Sequence, residues 1–405
     1  MTQKRLRVNL LPFLALALCG TLPLHRVASA QRLDSTLDAA VRDLCRKQIA
    51  VLGEPPMHGF ALALQLKVAI VKRLVEECGY TGVVFESGTY DFLNIERRRE
   101  RGEPVEASMV QAAIGGLWAT AEVAPLVPFL VAKAQAGAII LGGMDDQLSR
   151  ETYAQLEMPK DLARNLRPGR GSGCLAILER HMAWGYTSDA PYDARARARI
   201  LTCLDTLNEK RARTEGEPDA YDSLMIENLR RTVRRDALAS EPLADSGMTD
   251  RKTAEFNDRD RSMYANLQWW VRRAPGSRKV IVWTATTHAA KDLAGVPGME
   301  GLHPLGAYLA HEFGASVFAL GFSALGGSYA MVGHAARLLP PAPPNSLERQ
   351  VLRVGGNDVR YVGPEQLREF GLISARPVGP EFKSARWNVV FDGLVVVREE
   401  RPPVR

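Results

Sequence analysis

The chain has 405 residues, 52 basic against 46 acidic, and 46% hydrophobic residues. That is enough chain for a large core, or for one domain carrying a big insertion. Four of the basic residues (Lys4, Arg5, Arg7, Arg26) sit in the first thirty positions with no acidic residue. Without that segment 48 basic residues face 46 acidic ones, so the charge balance makes no case for a nucleic-acid partner.

Residues 1–30 read as a signal peptide, cleaved near Gln31. A basic start precedes an apolar stretch centred on Leu10–Leu18, and Ala28-Ser29-Ala30 supplies the small-residue cleavage pattern. The stretch is broken by Pro12 and Gly20 and falls short of the ~20 apolar residues a span requires. Leu18 before Cys19 argues against a lipid-attachment site. The expectation is export, to the periplasm or the medium, with no transmembrane span. Cys45, Cys78, Cys174 and Cys203 remain after cleavage, with no zinc-like spacing among them. Four cysteines in an oxidising compartment allow three pairings, and the sequence does not choose between disulfides and buried thiols.

An amphipathic helix from Gln31 to Lys47 leads to a strand at Ile49–Leu52, which stops at Gly53-Glu54 with His58 close behind. Pro55 and Pro56 lie between the acid and the imidazole, so the pair does not share a helix face. A helix over Leu64–Cys78 puts Leu66, Ile70, Val71, Leu74 and Val75 on one face. Lys67, Lys72 and Glu76 fall on the other, and Gly79 ends the helix. A second strand, "GVVFE", stops at Glu86. Helices over Asn94–Arg101 and around Ala112–Val131 precede a third strand, "AIILGGMDD", which ends on Asp145 and Asp146. Apolar strands that do not alternate, separated by helices, predict an α/β fold: a mostly parallel central sheet flanked by helices.

From about 149 to 250 the strand-like runs vanish and charged helical stretches take over, a helical insertion expected to form a cap. The sheet pattern returns with "RKVIVWTATTH", ending on His288, and "ASVFALGFS". A proline-rich loop, "LLPPAPPN", leads to a small C-terminal segment, about 345–405, ending in the strand-like "WNVVFDGLVVVRE".

Ligands of open α/β sheets bind beyond the carboxyl ends of the strands. Here four strands end on Glu54 with His58, on Glu86, on Asp145, and on His288. There is no G-x-S-x-G elbow, no Walker A loop, no G-x-G-x-x-G after the first strand and no H-E-x-x-H. What remains is chemistry by histidine and carboxylate: general-base activation of water, or a divalent ion held by the same groups. No motif demands a cofactor.

Several segments resemble the erythromycin esterase-like proteins, in order and spacing. "LGEPPMHG" is similar to that family's strand-end G-E-x-x-H, and "VVFE" to its second strand. "LWATAEVAPLVPFL", "GGMDDQ", "RDRSMYANLQWW", "VIVWTATTHAAKD" and "LGFSALGGSY" follow as its later elements. The resemblance implies one domain over 31–405 and hydrolysis of a small-molecule ester or lactone. It implies His58 as general base, Glu86 orienting it or the water, and His288 across the site as electrophile or second proton carrier. Glu54 and Asp145 would complete the polar rim. One extra residue separates Glu54 from His58, giving G-E-x-x-x-H. The same histidines and carboxylates would also suit a metal- or haem-binding protein of the envelope. Substrate identity and oligomeric state are not written in these motifs.

Overall fold

A computed structural model describes residues 37–164, 171–211, 220–240, 248–353 and 358–405. The leader read from the sequence lies outside the described residues. Helix α1 (37–45) leads into β1 (Ile49–Glu54), α2 (Ala61–Glu77), β2 (Gly82–Gly88), α3 (Thr89–Glu100) and α4 (Ala107–Ile114). A 3₁₀ turn (Gly116–Trp118), α5 (Leu126–Gln135) and β3 (Ile140–Asp145) follow. The interval before β4 (Val280–Ala285) holds α6 (Tyr153–Leu156), α7 (Met158–Ala163), α8 (Gly171–Met182), α9 (Ala194–Arg211), α10 (Ala220–Ser240) and α11 (Met248–Arg273). Then come α12 (Thr286–Ala289), α13 (Leu305–Phe313), β5 (Val317–Tyr329) and β6 (Arg337–Leu338). The chain closes with α14 (Leu347–Leu352), β7 (Val359–Val362), α15 (Pro364–Phe370), β8 (Leu372–Ala375), β9 (Lys383–Arg386), α16 (Trp387–Val390) and β10 (Gly393–Glu400).

The main sheet runs β3-β2-β4-β1-β5-β10-β7, with β6 added to the end of β5. Every neighbouring pair from β3 to β10 is parallel, and β7 alone turns antiparallel at the edge of that path. All residues of β1, β2, β3 and β4 are buried, which is why these strands read as continuous apolar runs. The fold is α/β with a mostly parallel central sheet flanked by helices. Cys45 pairs with Cys78, tying α1 to the end of α2, and Cys174 pairs with Cys203, tying α8 to α9.

Three local expectations fail. The helix expected around Ala112–Val131 breaks in two, because Gly115 adopts φ +86 and Pro125 restarts the backbone before α5. The segment "WNVV" is a helical turn, and only Gly393–Glu400 is strand. Lys67 is not on the solvent face of α2: it is fully buried. A lysine survives there only with a carboxylate beside it, and that carboxylate is on β1.

Helix α11 is locked over β3. Trp270 Nε1 donates to Gly143 O at 2.7 Å, and Asn266 Nδ2 donates to Met144 O at 2.9 Å. Asn266 also exchanges amide hydrogen bonds with Asn228 of α10. This sets the angle at which α11 passes the strand ends.

Candidate active site

Strands β1 and β4 pair in register with Glu54 opposite Ala285, and β2 lies on the other side of β4. Residues at the carboxyl ends of three neighbouring strands are thereby brought to one edge. After Glu54 the chain makes a tight turn, with His58 N donating to Pro55 O at 3.0 Å. His58 itself takes φ +51, a conformation in which a non-glycine residue is strained. The turn brings the imidazole back on the carboxylate: His58 Nδ1 donates to Glu54 Oε1 at 2.8 Å. A helix could not have done this across two prolines.

With Nδ1 bearing the proton, Nε2 keeps a lone pair, and it has no protein partner among the described residues. The edge of the His58 ring meets Trp118 at 5.1 Å between centroids. Glu54 is fully buried and saturated with donors. Trp118 Nε1 reaches Oε1 at 2.7 Å, and Lys67 Nζ is ion-paired to Oε2. Lys67 also donates to Thr284 O at 3.2 Å and lies 4.0 Å above the Trp283 ring. Burial works against the charge on Glu54, but Lys67 and His58 outweigh it and hold the carboxyl below its ordinary range. Burial pushes Lys67 down to about 8 against the opposing pull of Glu54. Both are charged at neutral pH.

The second cluster is built on β2, β4, α11 and α12. Glu86 Oε2 accepts from Thr284 Oγ1 at 2.7 Å and from Ala285 N at 2.9 Å. Its Oε1 faces Arg259 Nη2 at 3.0 Å and His288 Nε2 at 3.3 Å. His288 Nδ1 bonds Asp260, 2.9 Å from either oxygen, and Leu305 N fixes Asp260 Oδ1 at 2.7 Å. Arg259 also grips Asp145, with Nη2 to Oδ2 at 2.6 Å. Burial disfavours a charged His288, yet Asp260 and Glu86 outweigh it and raise the imidazole to about 10. Despite burial, His288 and Arg259 hold Glu86 well below the usual carboxylate range. The two carboxylates thus favour an imidazolium at His288, against Arg259 Nη1 at 3.3 Å from Nε2, and the ring stacks on Phe256 at 5.0 Å.

Thr284 joins the clusters, its carbonyl receiving Lys67 and its hydroxyl giving to Glu86. Gly53 lets them approach: a Cβ there would stand 2.8 Å from Thr286 Cα and 2.7 Å from Ala289 Cβ. Only glycine lets α12, which carries His288, lie against β1.

All five residues expected from the sequence gather at these strand ends, with two changes of partner. The carboxylate that orients His58 is Glu54; Glu86 bonds His288 instead. Glu54 lies wholly beneath the imidazole, not at a rim. The sequence reading gave no role to Arg259, Asp260, Lys67 or Trp118. Asp260 had a signal: with Met263, Leu267 and Trp270, all fully buried, it follows one helical stripe into the protein. Among the described residues no group of three or more His, Cys, Asp or Glu side chains is arranged to hold a metal ion. Glu86 and Asp145 face guanidinium or imidazolium, and Glu54 faces ammonium.

A buried parallel sheet with paired histidines and carboxylates at its carboxyl edge, and a helical stretch between β3 and β4, defines a narrow class. A sequence model of the erythromycin esterase family matches residues 75–399, and the chain belongs to that family. No curated protein matches it in sequence. The fold is similar to that of a crystallised succinoglycan biosynthesis protein, at TM-score 0.70 and 13% identity, over 91% of this chain and 92% of that one. A Bacillus cereus protein gives TM-score 0.63 at 18% identity, with 92% and 93% covered. A variant of the erythromycin esterase EreC, in its open conformation, gives 0.63 at 15% identity, covering 90% and 94%. Family membership supports hydrolase-like chemistry.

Proposed function

We propose that the protein is an exported hydrolase that cleaves a carboxylic ester or lactone with water activated by His58. The observation that carries this reading is the His58 Nδ1–Glu54 contact of 2.8 Å, which leaves Nε2 as an unpartnered base. A water hydrogen-bonded to Nε2 attacks the acyl carbon as its proton passes to the imidazole. The tetrahedral oxyanion develops beside the cationic His288 and Arg259, which supply the charge a metal would otherwise bring. The carbon–oxygen bond to the alcohol then breaks, and His58 returns its proton to the departing oxygen. The products are the acid and the alcohol, and no covalent enzyme intermediate forms. A positioned base of this type contributes roughly 10²–10⁴ in rate.

The helices between β3 and β4 would roof this site. Arg259 and Asp260 come from the last of them, and a dry roof strengthens every charge interaction beneath it. Two disulfides fit an oxidising compartment, which supports export.

The test is a panel of aryl esters, aliphatic esters and lactones. His58→Ala should abolish turnover while thermal unfolding stays within a few degrees of the unchanged protein. Hydrolysis in ¹⁸O-labelled water should place the label in the acid product. Substantial turnover by His58→Ala on a substrate the parent hydrolyses would end the reading, as would a trapped acyl-enzyme. N-terminal sequencing of secreted protein should begin near Gln31.

A further inference from the structure

Beside this site, α10 and α11 flank a half-open cavity of about 420 Å³ whose lining includes Arg231, Arg234, Arg235, Arg261 and Ser262. Only two carboxylates share the lining, Glu227 and Asp258, and both are engaged. Arg235 is 8% exposed and forms the inner wall. It bonds Asp146 through Nη1 at 2.8 Å and Nη2 at 2.5 Å, and Asp258 through Nε at 2.8 Å. Arg261 pairs with Asp258, and Arg231 Nε reaches Glu227 at 3.3 Å.

Three donors are left over among the described residues. Arg231 Nη1 is buried with no partner. Ser262, 4% exposed, has a buried Oγ with none. Arg234 is exposed, and no hydrogen bond or ion pair holds it. A buried donor left unpaired loses its bonds to water and gains none in return. Two such donors belong to residues of the cavity wall, closed off behind the lining, and with the surplus positive charge around the void they are the complement of an acceptor. An apolar ligand would leave both unmet, and a cation would be repelled.

We propose that this cavity is an oxyanion-binding site that takes a phosphate- or sulfate-class group. Such a group offers several acceptor oxygens to the fork of Arg231, to Ser262 Oγ and to the guanidiniums of Arg234 and Arg261. It would sit one ion pair away from the strand end that carries Asp145, because Asp146 is the carboxylate Arg235 holds. The oxyanion is either free or a substituent of the molecule hydrolysed at His58, and only the second source rests on the proposed function.

The experiment titrates sodium phosphate into the full chain at constant ionic strength, following thermal unfolding and calorimetric heat. Saturable binding is expected that sodium chloride does not reproduce. Arg231→Gln should weaken it by about tenfold, as loss of a hydrogen bond to a charged group would. If Arg231→Gln does not fold, the exposed pair Arg234→Gln/Arg261→Gln and the small change Ser262→Ala carry the test, each weakening phosphate binding. Equal stabilisation by chloride, absence of saturation, or unchanged binding in all these variants overturns the site. Esters matched with and without a phosphate substituent then separate the sources. Competition by inorganic phosphate against the charged ester alone marks a substrate subsite; phosphate binding with equal KM for both esters marks a free anion. The binding readout stands even if no ester is turned over.

Discussion

Lys67 and Glu54 form an ion pair from which solvent is wholly excluded, each side chain 0% exposed. The carboxylate is shared: one oxygen serves Lys67, the other His58 and Trp118. Lys67 thus acts on the imidazole only through Glu54. Removing one partner of a buried pair leaves an uncompensated charge and costs about 3–5 kcal/mol. Lys67→Met should lower stability by that order in urea unfolding. The double variant Lys67→Met/Glu54→Gln should be much less destabilised than the summed singles. Additive losses would mean the two side chains are not coupled.

Gly53 carries a second prediction, about packing. A Cβ at this position meets the backbone of Thr286 and the Cβ of Ala289, neither the free end of a flexible chain. Gly53→Ala should therefore push α12 off β1 and move His288 away from Glu86. Overpacking of this kind costs about 1–3 kcal/mol. Turnover should fall further than the unfolding temperature suggests, and a crystal structure of the variant should show α12 displaced. An undisplaced α12 would refute the spacing argument.

The sheet and the ends of its strands were readable because parallel strands buried on both faces must be apolar throughout and polar residues gather where they stop. That logic finds Glu54, His58, Glu86, Asp145 and His288. It fails for Lys67, since periodicity assigns a lysine to solvent and its partner lies on another element. It also fails within α11, where Asp258, Arg259, Asp260 and Arg261 are consecutive charges. Arg261 points out, 69% exposed, while Asp260 is fully buried. Only the phase set by Met263, Leu267 and Trp270 distinguishes them. That Glu86 meets His288 depends on β2 lying beside β4, and no single strand carries that information.

His181 offers a test of pH-dependent stability. It lies on α8 with 1% exposure, its Nε2 buried without a partner among the described residues. Burial lowers its pKa from 6.5 to about 4. The folded state therefore releases this proton more readily than the unfolded chain. Its contribution is complete above pH 6.5 and is lost as pH falls from 6.5 through 4, amounting to roughly 3 kcal/mol. His181→Phe cannot titrate and keeps an aromatic ring against Tyr192. Its urea midpoint should fall less between pH 7 and pH 4.5 than that of the unchanged protein. Parallel curves would show that His181 is not the group responsible.

The last prediction concerns what keeps His288 charged. Arg259 Nη1 stands 3.3 Å from its Nε2, but its neighbours of opposite sign are two carboxylates, Asp260 across Nδ1 at 2.9 Å and Glu86 across Nε2 at 3.3 Å. Burial alone would strip the proton; these neighbours instead raise the imidazole to about 10. Asp260→Asn keeps the shape and the acceptor for Leu305 N but removes one negative charge. The pH at which His288 loses its proton should then fall by more than about one unit, as expected for an opposite charge withdrawn from contact. Histidine proton shifts followed by NMR, with the His288 signals assigned through His288→Gln, read this directly. Because the imidazolium is the active form in the proposed reaction, the alkaline limb of kcat should move down with the titration. The change should leave the dependence on His58 intact. A titration that moves while kcat keeps its limb would assign the charge of His288 to holding Glu86 and Arg259 in place, not to the oxyanion.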